Sequence, residues 1–405
     1  YVDEGDPDSA LRGLDVIAAE YRVPLAVHSP MEPLTATAQV TGDRIEIWMP
    51  TQGPAIARAA VSHATGVDEN AITIYPMLVG GGFGRKISPD AAVIAAIIAT
   101  QMKRPVQVTW SRAEEIMQDD YRPPAIGRLK ARLGDGGRPV AWSTTVAAPS
   151  AMAALFSRLM PFGGDPEDPE FAAVMGAQPP YAIPAVSVEH CVANIGVPLG
   201  MWRSVAHSYN AFFVESFVDE LARRAGIEPV SFRMQMLGSA PRLARCLTMA
   251  ASLGNWQGGI EGSGQGIAAH SCFGSHIAML AEARFGDLGK VKVERIIAVV
   301  DCGRIVNPEI VRQQIEGGIV WGLSAALGEA ISVRDGVVTA SNFDGLGLMT
   351  LIDMPDIIVE LITNDEEPGG VGELAVPVVA PALANALYSA TGQRLRTLPL
   401  GAGKV

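Results

Sequence analysis

The stretch Pro368-Gly-Gly-Val-Gly-Glu373-Leu-Ala-Val-Pro377-Val-Val-Ala-Pro381-Ala-Leu-Ala-Asn385 sets one acidic residue between a glycine-rich turn and a long apolar run. Glycines 369, 370 and 372 let backbone approach a ligand closely, while Val371, Leu374 and Val376 draw water away from Glu373. A carboxylate placed in this way is expected to titrate high, as a general base requires. The same residues also suit a plain helix start with an exposed Glu, and the segment alone leaves both readings open.

With 405 residues the chain is long enough for two or three domains with ample core. Hydrophobic residues make up 48% and charged residues 18%, which excludes a disordered chain and leaves surface for partners to cover. A net charge of -12, with no basic stripe interleaved with aromatics, argues against nucleic acid as a partner. Cysteines 191, 246, 272 and 302 are far apart and form no C-x-x-C pair, so they suit neither an iron-sulfur cluster nor a zinc ribbon and read as four small buried residues. His270, Cys272 and His276 are placed to share a strand face, but no carboxylate or further Cys completes a ligand set, and no metal site is expected. The apolar segment 315–331 contains Glu316 and Glu329 and many glycines, which fits a buried helix better than a membrane span. No signal peptide is evident. The opening Tyr1-Val-Asp-Glu-Gly-Asp-Pro-Asp has no initiator Met and reads as an exposed acidic linker in a fragment of a longer precursor.

Periodicity alternates between that of strand and that of helix. Residues 35 to 49 read as one strand, 53 to 66 as a helix, 71 to 79 as a strand, and 88 to 102 as a helix capped by Ser88 with Pro89 at its first position. Strands follow at 104 to 110, 127 to 133 and 139 to 148, whereas the Pro- and Gly-rich 149 to 200 region reads as long surface loops. A helix over 208 to 224, strands near 265 to 272, 277 to 285 and 290 to 300, and helices at 308 to 327 and 380 to 391 complete the pattern. Without a regular βαβ rhythm the fold class is α+β, mixed sheets packed by helices in two subdomains, 1–245 and 246–405.

Four further segments join glycine to polar residues. Val79-Gly-Gly-Gly82-Phe-Gly84-Arg85-Lys86 offers amides and a helix start to an anion such as a phosphate or a metal oxo group, though it matches neither a Walker loop nor a dinucleotide fingerprint. Gly200-Met-Trp-Arg203-Ser204 places an Arg before a helix, where a grip on a ligand oxygen and a loop salt bridge are both open. Asp301-Cys-Gly-Arg304-Ile-Val-Asn307-Pro and Gln313-Gln314-Ile-Glu316-Gly-Gly318 suit either a polar cofactor tail or a turn followed by a close-packed helix.

Taken in order, VGGGFGRK, MWRSVAHSYNAFFVESFVDELA, AVVDCGRIVNP, QIEGGIVWGLSAAL and GGVGELAVPVVAPALANALYSATG resemble the molybdenum-cofactor-binding subunit of the xanthine dehydrogenase and aldehyde oxidase family. The likeness runs from about Tyr21 to Leu400 and is greatest to the branch of isoquinoline 1-oxidoreductase β subunits and related membrane-associated aldehyde dehydrogenases, to which His28-Ser-Pro-Met-Glu32-Pro-Leu and Ser341-Asn-Phe-Asp344 add matches. The resemblance implies that Glu373 is the general base of a hydroxylation that uses water as oxygen source. It implies cofactor contacts from Gly81, Gly82, Phe83, Gly84 and Arg85, from Arg203 and Ser204, from Gln314, and from Gly370, Val371 and Gly372. The implied cofactor is molybdenum with molybdopterin cytosine dinucleotide, held without protein ligation of the metal. The substrate class it implies is an N-heteroaromatic ring or an aldehyde. An aldehyde-specific oxidoreductase and a cofactor-less binding homologue are the alternatives.

Ala206 and Tyr209 stand where the branch usually has Gly and Gln, Gly345-Leu346 replaces a Tyr-Pro, and the branch's N-terminal Met-Gly-Gln-Gly motif is absent from these residues. The resemblance therefore implies an N-terminal fragment of the same precursor as a partner. It also implies a separate subunit carrying [2Fe-2S] clusters, onward transfer to a cytochrome c acceptor, and a periplasmic location.

Overall fold

The computed structural model describes residues 1–13, 15–160, 164–286, 289–328 and 330–401, so Glu329 lies outside the described residues. Three large sheets and a two-stranded one, Val333–Arg334 with Val337–Val338, organise the described residues. The first has the order Val2–Glu4, Ala185–Val192, Pro139–Ala148, Ala125–Leu133, Val16–Val23, antiparallel except where Ala185–Val192 runs parallel to Pro139–Ala148. The second is inserted between the strands of the first: Ile72–Met77, Arg44–Pro50, Thr35–Thr41 and Val106–Thr109, covered by helices Pro54–Thr65 and Asp90–Met102. Alanines 91, 92, 95, 96 and 99 form a stripe of small side chains that lets the second helix lie close on the sheet, giving this unit a core of its own. The third sheet has the order Gln265–Cys272, Ser275–Phe285, Val291–Asp301, Asp356–Leu361, the last pair parallel.

Two buried helices fill the space between the first and third sheets. In His207–Ala225, 15 of 19 residues are buried, and its Phe213 ring fills the space beside Gly127 of the first sheet. Its other side packs on Val376–Thr391, which lies on the third sheet so closely that a Cβ at Gly266 would sit 2.1 Å from the amide nitrogen of Ala386. Pro308–Leu327 packs beside it through Gly318 and Gly322, where a Cβ would meet Ala375 and Val379 at 3.0 and 2.7 Å. One apolar core thus runs from Tyr21 to Leu400 across both halves of the chain, and helix Pro241–Leu253 crosses the 245/246 division. Acidic residues inside it are paired: Glu215 accepts from Tyr181, Arg233 and the amide of Ala269, and Asp219 binds Arg394 at 2.8 Å. No helix among the described residues is long and apolar enough to cross a membrane.

Several local expectations need correction. The strand expected at 35 to 49 is a hairpin, because Gly42 adopts φ +60° and turns the chain between Thr41 and Arg44. The 149 to 200 region contains helix Ala151–Leu159 and strand Ala185–Val192, both stabilised by tertiary packing that its Pro and Gly content conceals. The C-terminal helix starts at Val376 instead of 380. Pro377 needs no amide bond in the first turn, and the carbonyl that Pro381 leaves free belongs to that same turn. Pro89 is the residue before the helix Asp90–Met102 and not its first. The acidic start is an edge strand, with the Tyr1 amino group bonded to the Val188 carbonyl. Cys191 is exposed, and the other three cysteines are buried.

A buried cluster of charge joins the inserted unit to the rest. His28 Nδ1 lies 2.9 Å from Asp119 Oδ1 and Nε2 lies 2.8 Å from the carbonyl of Met201. Both partners are acceptors only, so both ring nitrogens donate and His28 is an imidazolium. Burial lowers its pKa, but the charge and hydrogen bond of Asp119 outweigh burial and leave it raised; burial raises Asp119, and the His28 charge leaves it lowered.

Gly266→Ala must push its helix off the sheet and should cost about 3 kcal/mol or more in denaturant unfolding, against near-neutrality for Gly136→Ala, whose Cβ meets nothing. The stabilisation from His28 should be complete below its unfolded value of 6.5 and vanish as pH rises through its raised folded value. That from Asp119 should be complete above 3.8 and vanish as pH falls through its lowered folded value. Unfolding midpoints measured across pH should show both limbs in the wild type, and His28→Gln should lose the alkaline one.

Candidate active site

Three loops converge on one cleft of about 310 Å³. The first, residues 78–84, leaves strand Ile72–Met77 and leads toward helix Asp90–Met102. Gly81 and Gly84 adopt φ of +89° and +108°, and a Cβ on Gly84 would fall 1.6 Å from the Met201 carbonyl oxygen, so only glycine fits there. Phe83 also has positive φ, +56°, and its ring lies on Trp321 at 4.0 Å between centroids. Gln52, at the end of the neighbouring strand, accepts from the Gly84 amide at 3.1 Å through Oε1. Glu32 holds the other end of the loop, accepting from the Gly80 amide and pairing with the Lys86 ammonium.

The second loop, 200–206, carries Arg203, which is 8% exposed. Its Nε donates to the Gly372 carbonyl at 2.6 Å and its Nη2 to the Gln314 carbonyl at 3.1 Å, so one guanidinium ties this loop to the third loop and to helix Pro308–Leu327. Ser204 and Val205 both hold positive φ, 78° and 41°, a strained pair of about 1–3 kcal/mol each that these bonds maintain. The Ser204 hydroxyl donates to the backbone carbonyl of Glu373.

The third loop, 368–375, presents Glu373 at the cleft wall, half-buried. Burial raises its pKa; the Arg203 charge and the Ser204 amide pull it back, and the balance stays above the ordinary carboxylate value. Of the residues expected at the site, Gly82, Phe83, Gly84, Arg203, Gln314, Gly372 and Glu373 line this cleft together. Gly81 packs under Phe83 and Pro30, and Ser204 holds the Glu373 carbonyl from behind the loop. Gly370 faces Phe273, to whose carbonyl its amide donates at 2.7 Å, and Val371 packs on the core.

Arg85 is placed elsewhere. It is 1% exposed and turned into the protein, bonded to Glu115, Asp119, Asp120 and the Gln118 carbonyl, because three carboxylates there need a cation. Gln52, Trp202 and Trp321, which line or back the cleft, and the His28 clamp were missed by residue-level reading. Gln52 ends a strand that pairs in parallel with the one leading into the glycine loop, and that pairing was the available signal. A small cavity of about 30 Å³ adjoins the cleft behind Met201, Trp202 and Val205, and Ala206 and Tyr209 both line it.

Residues 1–237 and 260–355 each match a family model described as a molybdopterin cofactor-binding domain. The chain is 32% identical over 388 residues to the β subunit of isoquinoline 1-oxidoreductase of Brevundimonas diminuta, covering 94% of this chain and 49% of that protein. It is 31% identical over 431 residues to a subunit of nicotinate dehydrogenase of Pseudomonas putida, covering 100% and 36%. The chain thus spans half or less of the length of these two relatives. Quinoline 2-oxidoreductase from Pseudomonas putida 86 shares the fold at a TM-score of 0.83 and 15% identity, over 98% of this chain and 76% of that one. The aldehyde oxidoreductase of Desulfovibrio gigas does so at 0.82 and 16%, over 98% and 62%. With a family model matched over more than half its length, the chain belongs to the molybdopterin cofactor-binding domain family, as the cofactor-binding portion of a xanthine-oxidase-family subunit.

Proposed function

We propose that this chain is the catalytic, C-terminal portion of a molybdenum hydroxylase that oxidises an electron-poor C–H bond, with Glu373 as general base. The observation that carries the reading is Glu373 itself, a carboxylate of raised pKa at the wall of a cleft whose other side is a glycine loop open to a ligand. The cleft fits a cofactor that brings its own metal ligands. Among the described residues no His or Cys lines it, but Gly82 and the side chains of Gln52 and Gln314 do, and Trp321 Nε1 is buried with no hydrogen-bond partner among the described residues. When bound, molybdopterin supplies the two-electron acceptor and the activation of water. The protein's part is to orient and to move a proton: Glu373 Oε takes the proton from the attacking water-derived oxygen, and Arg203 fixes where that carboxylate stands.

An N-heteroaromatic substrate is favoured over an aldehyde because the relatives named for isoquinoline and nicotinate, at 32% and 31% identity, exceed the membrane-bound aldehyde dehydrogenase at 26%. The pterin would carry a cytosine nucleotide, and electrons would leave through a [2Fe-2S] subunit toward a cytochrome c acceptor in the periplasm, as the motif resemblance implies. The N-terminal portion of the same precursor would cover Met31 and Leu78, 79% and 96% exposed beside the glycine loop.

Glu373→Gln keeps size and hydrogen bonding while removing the proton acceptor, so molybdenum content should be retained and kcat fall by at least ~10²-fold on heterocycles. A molybdenum-replete Glu373→Gln enzyme at wild-type speed would overturn the assignment. Arg203 lowers the Glu373 pKa, so Arg203→Gln should shift the acid limb of kcat/KM to higher pH, the base staying protonated over a wider range. An unmoved acid limb in the pH profile would mean that Arg203 acts on the loop alone.

A further inference from the structure

Behind the base loop lies a cluster that the proposed hydroxylation does not use. His270 and Cys272 lie two residues apart on strand Gln265–Cys272 and face the same way, and His207, the first residue of its helix, completes the group. All three are buried, and their ligating atoms lie within 4.8 Å of one another. His276, expected from sequence to join them, is paired across the hairpin with Ser271 and bonds to its hydroxyl at 2.7 Å on the opposite face. Strand alternation thus excludes it, and a helix distant in sequence supplies the second imidazole.

We propose that His207, His270 and Cys272 form a three-coordinate site for a soft monovalent ion, Cu(I). Around such an ion ligand atoms stand roughly 3.3–3.8 Å apart, given bonds of about 2.0 Å to nitrogen and 2.3 Å to sulfur. His207 Nδ1 and His270 Nε2 are 2.9 Å apart, so side-chain rotations of a few tenths of an ångström at the rings and about 1 Å at the thiol admit the ion. That contact is the sole hydrogen bond of either ring among the described residues, and the Cys272 thiol makes none, so the three potential ligand atoms hold two protons, one between the ring nitrogens and one on the sulfur. Gly176 leaves the room: a Cβ there would lie 2.5 Å from His207 Nδ1.

Charge and number select the ion. Among the described residues no fourth His, Cys or carboxylate completes the closed tetrahedron of a structural Zn(II) site, and a Zn(II) site with three protein ligands needs a water in its fourth position, which the burial of all three groups disfavours. Cu(I) with one thiolate is neutral, the charge state that a buried site tolerates at least cost, and thiolate with imidazole is a donor set that suits it. Binding releases the thiol proton and the proton shared by the two rings adjusts to the remaining nitrogens, with no change in oxidation state. The bound ion would join the start of helix His207–Ala225 to the strand whose next residue, Phe273, holds the base loop through Gly370. This holds whether or not the cleft carries molybdenum.

The test uses the full-length complex, loaded anaerobically with Cu(I) and competed with bicinchoninate. Wild type should retain one equivalent more than Cys272→Ser or His270→Gln, with equal circular-dichroism spectra and thermal midpoints of the copper-free proteins to show that all three fold. Copper-edge X-ray absorption of the wild type alone should show one sulfur and two imidazole nitrogens. Equal retention in wild type and variants, a shell of sulfur only or of nitrogen and oxygen only, or retention of Zn(II) in place of Cu(I) would each overturn the site.

Discussion

The close approach of Gly84 to the Met201 carbonyl is the contact on which the cleft depends. Two loops from different units of the fold touch there, backbone to backbone, and the same carbonyl accepts from His28. Movement of either loop would break a charge-assisted hydrogen bond inside the protein, where no water replaces it. His28 leans on Asp119, and Asp119 on Arg85, so a chain of buried charges fixes the glycine loop beside the apolar contact of Phe83 with Trp321. Such pairs add little net stability over apolar residues of equal volume, because desolvation consumes most of the attraction. What they supply is direction. A carbonyl, an imidazolium and a carboxylate meet in one geometry only.

The same economy governs Glu373. Glu373 takes opposite influences from its surroundings, burial pushing its pKa up while Arg203 and the Ser204 amide pull it down. Arg203 cannot swing toward the carboxylate freely, since its Nε and Nη2 are held by carbonyls on two other elements. The guanidinium therefore acts as a fixed charge at a fixed distance. A lysine could not replace it, having a point charge and no planar fork to bridge two carbonyls. Strain at Ser204 and Val205 is held in place by the same bonds, which is why the loop can contain two non-glycine residues at positive φ.

Much of this was legible in the sequence where pattern and physics coincide. Helices with long apolar faces, such as His207–Ala225 and Pro308–Leu327, and the strands of the third sheet announce themselves by period. The glycine loop and Glu373 were legible through motif order, and the cleft brings seven of the expected residues together. What sequence spacing does not encode is which way a side chain turns. Arg85 sits inside a motif whose neighbours line the cleft, yet a one-residue step past Gly84 rotates it into the carboxylate cluster. Equally, His207 meets His270 only because a helix start and a strand 63 residues apart are packed together, and no local pattern predicts that meeting. The Thr41-Gly42-Asp43-Arg44 turn was obscured because alternation continues through it on both sides.

The open side of the cleft bears on the base as well. Leu78 and Met31 stand almost fully in water beside the glycine loop, and Glu373 is only half-buried. Any body that covers this rim removes water from the carboxylate while leaving the Arg203 charge and the Ser204 amide where they are. Since burial is the largest influence on Glu373 and acts upward, covering raises its pKa further and brings it nearer to neutrality. Closure over the cleft would thus act on this carboxylate in the same direction as the burial already present. The position of Glu373 is built into this chain, whereas its proton affinity depends also on what covers the rim.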